Sequence, residues 1–368
     1  MSIKKIPVYE PVLGPEVRQN VLECIDSNWI SSRGPFVDRF EREFGSFIGT
    51  SHAASVCNGT VALHLALLAL DVGPGDEVIV PTFTYIASVN AIQYVGATPV
   101  FVDSQPDTWQ LSPDEILRKV TARTRAVMAV HLYGQPAAMQ AIMRIARDHN
   151  LVVVEDCAEA IGSRIENKHV GTFGDVATWS FFGNKTITTG EGGMVTTDRP
   201  ELDKTIRKLK GQGLAGEREY WHDIVGYNYR MTNICAAIGV AQLPRANALL
   251  AKKRLIAEAY REHLVGVPAE FLWEAAETTN SFWMNCISLR DPAVRSELRK
   301  HLAADEIETR PAFSPAHTMP MYAKFAAGRY PVAENLGASG INLPSSPALT
   351  MEDVARVTAS IKRFFSGS

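Results

Sequence analysis

The sequence is poor in cysteine, has no long apolar run and carries almost no charge excess. Its five cysteines, Cys24, Cys57, Cys157, Cys235 and Cys286, are odd in number, widely spaced and form no CxxC pair. That pattern argues against a disulfide framework or a zinc site; no metal is expected, and a reducing cytosol fits best. No run approaches the roughly 18 apolar residues of a membrane span. The opening "MSIKKIPVYEPVLG" has two lysines but lacks the apolar stretch of a signal peptide. A formal net charge of -3 gives no broad attraction to nucleic acid or to an anionic membrane. Internal repeats and low-complexity segments are absent. No G-x-G-x-x-G follows the first strand pattern, which weighs against a nicotinamide-dependent sugar oxidoreductase.

What is present is the balance of a soluble globular protein with a sizeable core: 46% hydrophobic and 21% charged residues. A length of 368 residues suits one large domain with a smaller one, or two of ordinary size. From residue 52 short Val-rich runs alternate with helical patterns. "HAASVCNGT", "DEVIVP", "TPVFVD", "TRAVMAVHLYG", "LVVVEDCA", "VATWSFF" and "GMVTT" read as strands. "VALHLALLAL", "YIASVNAIQYVG" and "AAMQAIMRIARDHN" read as helices. Such alternation predicts βαβ units and a mostly parallel sheet covered on both faces, with ligands at the carboxyl ends of its strands. A long helical stretch over 232–263 follows. Then come a strand "SFWMNCISL", a helix "VRSELRKHLAAD", a strand "IETRPAF" and a last helix near 351–364, a mixed tail that suggests a smaller second domain.

Three places along this pattern carry chemistry. Asn58-Gly59-Thr60 ends a strand and opens a helix: glycine lets backbone approach a ligand, and the free amides of a helix start make an anion site. An ordinary N-cap reads the same way. Glu155 and Asp156 end a strand buried on both faces, where an acid is costly without a cationic partner. The alternative is a loop acid or a helix cap. Lys185 follows the strand "VATWSFF" inside "SFFGNKTITTGEGGMVTT". In a pocket it would lose its proton readily and could bond to a carbonyl carbon; on the surface it would be an ordinary solvated lysine. A phosphate cradle, a strand-end acid and a pocket lysine together are what pyridoxal 5'-phosphate requires. Ser180, five residues before Lys185, could add a phosphate contact.

Segments along nearly the whole chain point the same way: "WISSRGPFVDRFEREF", "NGTVALHLAL", "GDEVIVPTFTYIASVNAI", "VHLYGQP", "EDCAEAIGS", "SFFGNKTITTGEGGMVTT", "GYNYRMTNICAAIG" and "GINLPSSPAL". In order and spacing they resemble the nucleotide-sugar aminotransferases of the DegT/DnrJ/EryC/StrS family. The resemblance implies an α/β, aspartate aminotransferase-like fold (PLP fold type I). A mostly parallel central sheet with helices on both faces would be joined by a smaller C-terminal α+β domain, divided as 1–245, with an N-terminal arm, and 246–368. It implies transamination with pyridoxal 5'-phosphate as cofactor. The implied substrates are a nucleotide-linked ketosugar and L-glutamate. Within the family, "FFGNKTITTGEGGM", "YWHDIVGYNYRMTNICAAIG" and "ETRPAFSPAHTMPMY" resemble members acting on GDP-4-keto-6-deoxymannose; that likeness implies this sugar, for surface polysaccharide (O-antigen) synthesis, with a UDP- or dTDP-linked ketosugar as the alternative.

Roles follow position by position as implications of that resemblance. Lys185 falls on the cofactor-binding lysine and Asp156 on the acid facing the pyridine nitrogen. Gly59, Thr60 and Ser180 fall on phosphate contacts, and Tyr85 on the aromatic that stacks on the ring and borders the substrate. Glu159 lies toward the cofactor hydroxyl. Asn228 reaches the phosphate from the other subunit, which implies a homodimer with shared sites. Arg230 and His317 are candidate substrate contacts. Read on their own, Tyr85, Arg230 and His317 fit better a core aromatic, a surface charge and a satisfied core histidine. A branch of the family with histidine at the lysine position performs deoxygenation; Lys185 points away from it. A silent binding relative would be expected to have lost Lys185 or Asp156, and both are present.

Overall fold

The computed structural model describes residues 4–216 and 218–367. Two helices come first, α1 (Pro15–Asp26) and α2 (Pro35–Ile48), each with proline in its first turn, where the missing N–H costs nothing. Strands and helices then alternate: β1 (His52–Val56), α3 (Gly59–Ala69), β2 (Glu77–Pro81), α4 (Ile86–Tyr94), β3 (Thr98–Val102), α5 (Pro113–Lys119), β4 (Thr124–Val130), α6 (Met139–Asp148) and β5 (Val152–Asp156). Next come the two-residue strands β6 (Arg164–Ile165) and β7 (Lys168–His169), then β8 (Val176–Ser180), β9 (Gly193–Thr197), α7 (Pro200–Lys210), α8 (Asn233–Gln242) and α9 (Ala246–His263). The C-terminal part contains β10 (Ala269–Phe271), β11 (Thr278–Thr279), β12 (Asn285–Leu289), α10 (Arg295–Ala304), β13 (Arg310–Pro311), α11 (Pro331–Ser339), β14 (Gly340–Leu343) and α12 (Met351–Ser366).

The central sheet has seven strands in the order β1-β9-β8-β5-β4-β2-β3. β2, β3, β4, β5 and β8 pair in parallel, while β9 runs antiparallel to both β8 and β1. The period-2 alternation of side chains explains how one strand serves two cores. Val78 and Val80 join Leu63, Leu65, Val154 and Val195 on one face. Ile79 and Val127 join Ile116, Ile142 and Val153 on the other. A second sheet, β10-β12-β14-β13, packs through Ile287, Leu289, Ile341 and Leu343 against Tyr260, Leu298, Leu302, Val357 and Ile361.

Several boundaries differ from those expected. The first strand stops at Val56 because Asn58 already caps α3, its side chain accepting the Val61 N–H at 3.0 Å. The helical stretch over 232–263 is two helices, broken at Leu243–Arg245, where Pro244 cannot supply an amide hydrogen. By length and composition Asn233–His263 would pass for a membrane span although its apolar residues are not consecutive; half of its most apolar 18-residue window is buried within the protein. "IETRPAF" contributes only the two residues of β13 to the ladder, its proline lacking a donor.

Candidate active site

Because β2, β4, β5 and β8 run parallel, their carboxyl ends share one edge. β9 is antiparallel and β1 antiparallel to it, so Gly193 and Val56 reach the same edge, in register with each other and with Ser180. There a cavity of about 550 Å³ opens, lined by Gly59, Thr60, Tyr85, Asp156, Glu159, Ser180 and Lys185 among others. The structure thus brings together seven of the ten residues to which the family resemblance gives a role.

Gly59 and Thr60 form the first turn of α3, whose leading N–H groups have no intrahelical partner. A side chain at Gly59 would put its Cβ 2.9 Å from Ser180 Cβ, and one at Gly193 would lie 2.6 Å from the Asn58 carbonyl. The absence of both side chains lets the helix start close onto the end of β8. Asp156, at the tip of β5, is buried; its Oδ2 accepts the Ser88 hydroxyl at 2.7 Å and its Oδ1 the Ala158 N–H at 3.1 Å. Burial pushes its pKa up, against the pull of those two hydrogen bonds and of Lys185.

Lys185 sits in the loop after β8. Its N–H donates to Phe182 O at 2.9 Å, and its carbonyl accepts the Tyr9 hydroxyl at 2.9 Å. Its Nζ lies 3.9 Å from Glu159 Oε1 and 3.9 Å from the centre of the Trp283 ring. Burial lowers the ammonium pKa, and the Glu159 and Asp156 carboxylates oppose that shift. Burial likewise raises Glu159, against the attraction of Lys185 and a hydrogen bond from the Tyr133 N–H, 2.8 Å from Oε2. The Tyr133 backbone is itself left-handed, at φ 56°. The two carboxylates and the amine therefore share a buried site in which every charged form is perturbed, the pattern that marks functional sites.

Directly behind Asp156, Glu155 is wholly buried. Its carboxylate accepts the N–H groups of Gly171, Phe173 and Gly174 at 2.7–2.8 Å and the His131 Nε2–H at 3.1 Å. Burial would raise its pKa, but His131 and those amides outweigh it and hold the carboxyl low. His131 Nδ1 in turn accepts the Ala137 N–H. With Cys157 these residues have the proximity of a metal cluster, yet the histidine and carboxylate donors are committed to the protein itself.

Three expected residues stand outside the cavity lining. Asn228 is solvent-exposed, its Oδ1 accepting Arg230 Nη2 at 3.2 Å. Arg230 pairs with Val56 at the end of β1, and its buried Nε has no partner among the described residues. His317 is bonded to Thr82 through Nδ1 at 2.7 Å and lies 3.3 Å from Glu334 through Nε2. Reading the sequence missed Ser88, Tyr9 and Trp283. Ser88 sits one turn after Tyr85 on α4 and was within reach of a spacing argument; Tyr9 lies 176 residues from the Lys185 carbonyl it bonds and Trp283 99 from that of Asn184, and no local pattern marks them.

Residues 11–362 match the profile of the DegT/DnrJ/EryC1/StrS aminotransferase family. The chain is 54% identical to the GDP-perosamine synthase of Escherichia coli O157:H7, over 99% of this chain and 100% of that one. It is 49% identical to the GDP-perosamine synthase of Vibrio cholerae, over 98% and 99%. Among solved structures, the aminotransferase TlmJ from Streptoalloteichus hindustanus superposes with a TM-score of 0.94 at 32% identity, covering 98% of this chain and 99% of that one. The PLP-form of Spr1654 from Streptococcus pneumoniae does so with a TM-score of 0.94 at 28% identity, covering 99% of each. The chain belongs to the DegT/DnrJ/EryC1/StrS aminotransferase family and, like it, is a pyridoxal 5'-phosphate-dependent sugar aminotransferase.

Proposed function

We propose that the protein transfers the amino group of L-glutamate to carbon 4 of GDP-4-keto-6-deoxymannose, giving GDP-perosamine for surface polysaccharide (O-antigen) synthesis. The chemistry rests on one arrangement: a buried lysine amine beside two buried carboxylates, in a cavity floored by an unencumbered helix start. The choice of sugar rests on the relatives at 54% and 49% identity, matched over essentially their full length.

The residues present fit the cofactor. The glycine-cleared turn at Gly59, with the Thr60 and Ser180 hydroxyls, suits a phosphate. Asp156, with two hydrogen bonds that favour its charged form, suits a protonated ring nitrogen. Tyr85 offers an aromatic face, and Glu159 a carboxylate on the side of Lys185. The cofactor, when bound, supplies an aldehyde carbon and an electron-withdrawing ring. Lys185 Nζ would be the group that holds the cofactor at that carbon between turnovers. Once displaced, it takes the proton from the carbon of the amino donor and later delivers one to carbon 4 of the sugar. Burial, which lowers its pKa, makes the neutral, proton-accepting form accessible. Asp156 keeps its counter-charge fixed throughout, and binding of the nucleotide is used to position carbon 4 within reach of Lys185.

A homodimer completes this reading. Asn228 would act on the phosphate of the partner's site, in keeping with its exposure and with the exposed apolar side chains of Tyr220, Trp221 and Val225 nearby in sequence. Arg230, whose Nε has no partner among the described residues, and Tyr85 are assigned to the substrate side. His317 joins them only by releasing Thr82 and Glu334. Residues 1–245 would form the cofactor-binding domain and 246–368 the smaller one. The test is to supply GDP-4-keto-6-deoxymannose and glutamate and to seek the aminosugar nucleotide by mass spectrometry. No product there, with clear turnover of a UDP- or dTDP-linked ketosugar, would reassign the substrate.

A further inference from the structure

We propose that the face of Trp283 is the seat of the Lys185 amino group whenever that group is not bonded to the cofactor, making Trp283 a positioning residue for the reaction. The inference rests on the assignment of Lys185 made above. Lys185 Nζ lies 3.9 Å from the centre of the Trp283 ring, well inside cation–π range. Its nearest carboxylate oxygen, on Glu159, is also 3.9 Å away, too far for a hydrogen bond. No hydrogen bond from Nζ is present among the described residues, so the indole supplies attraction that no acceptor supplies.

The seat is itself fixed. The indole Nε1–H donates to the carbonyl of Asn184 at 2.8 Å, so one ring holds both the backbone before Lys185 and the amine at the end of its side chain. The Trp283 carbonyl accepts Lys253 Nζ at 3.1 Å, and the same ammonium bonds Ser345 O at 2.9 Å. Lys253 is fully buried and makes no ion pair among the described residues. Its bonds serve to anchor the segment that carries Trp283. The Tyr133 ring lies nearly parallel to the indole, 11° off at 6.2 Å, and the Tyr133 N–H holds Glu159. The amine and its nearest acid are thus positioned through one aromatic pair.

The test uses the full-length protein loaded with pyridoxamine 5'-phosphate, which has no aldehyde and leaves Lys185 free. Acylation of Lys185 by acetic anhydride is followed by peptide mass spectrometry across pH in wild type, Trp283→Phe and Trp283→Leu. The other titratable groups facing the amine, Glu159 and Asp156, are unchanged in both variants. Loss of the ring face in Trp283→Leu should move the labelling midpoint down and raise the rate at pH 7 by about threefold or more. Trp283→Phe, which keeps a face, should stay within about twofold of wild type. A midpoint unmoved or raised in the leucine variant, or a phenylalanine variant that behaves like it, overturns the seat. Should the leucine variant not fold, the emission difference between wild type and Trp283→Phe isolates Trp283. It should change across the Lys185 labelling midpoint, and a flat difference overturns the proposal. Protection of Lys185 in protein loaded with pyridoxal 5'-phosphate tests the lysine assignment separately.

Discussion

At the residue scale the site depends on a few buried polar atoms, and each can be removed singly. Lys185→Ala should lose about three orders of magnitude in turnover, the usual worth of a proton-transferring group, together with the visible band of lysine-bound cofactor. Lys185→Arg should fail equally, since a guanidinium stays protonated. A variant with wild-type kcat and an intact band would remove Lys185 from its role. Ser88→Ala tests the support of Asp156. The Ser88 hydroxyl favours the carboxylate, so its loss should raise the pKa of Asp156 beyond the rise burial already causes. The protonated acid would then persist to higher pH, and the acid limb of kcat should move upward. A limb that stays put, or moves down, would show that Ser88 does not support the charge.

At the element scale the decisive contacts join α2, α3 and α7 to the sheet edge. Glu41 on α2 accepts the Ser55 N–H at 2.7 Å, Arg207 at 2.7 Å and Lys210 at 2.9 Å, tying α2 to β1 and α7. Burial raises its pKa, but Lys210 and Arg207 outweigh that and bring it down to about 2 from 4.5. Its folded pKa is depressed, so its contribution is complete above about pH 4.5 and is lost as pH falls toward 2. Glu41→Gln should cost about 3 kcal/mol at neutral pH and flatten the acid limb of stability, as urea midpoints at pH 7 and pH 3 would reveal. Gly59→Ala should weaken pyridoxal 5'-phosphate binding about tenfold or more, because the new methyl forces α3 away from Ser180. Equilibrium dialysis would detect this, and unchanged affinity would sever the glycine from the cofactor. Elements of this kind were unevenly legible. Asn58-Gly59-Thr60 announced the cap of α3, and the Val-rich strands announced β4, β5 and β8, because those signals are local. Glu41, Arg207 and Lys210 lie on helices that the alternation of apolar residues did not reveal. Their partnership spans 166 and 169 residues and leaves no periodic trace.

At the scale of the whole molecule, the proposed sharing of sites predicts complementation. Lys185→Ala and Asn228→Ala protein, each inactive alone, should regain activity on mixing under conditions that exchange subunits, up to about a quarter of wild type for random pairing. Heterodimers without activity would place Asn228 outside the partner's site. The N-terminal segment gives the molecule a second kind of unity. Ile6 bridges Ile307, the Val8 N–H bonds Glu308 across 300 residues of sequence, and Lys4 pairs with Asp353 across 349. Just beyond these stitches Tyr9 reaches the carbonyl of Lys185. Chains are synthesised from the amino end at roughly 5–20 residues per second, so the segment holding Tyr9 emerges first and its anchors tens of seconds later. The strands around Asp156 and Ser180 can assemble on the ribosome, but the clasp on Lys185 must wait for Ile307, Glu308 and α12. Timing therefore guards the chemistry: a half-made chain can own every catalytic side chain and still lack the grip that sets its lysine in place.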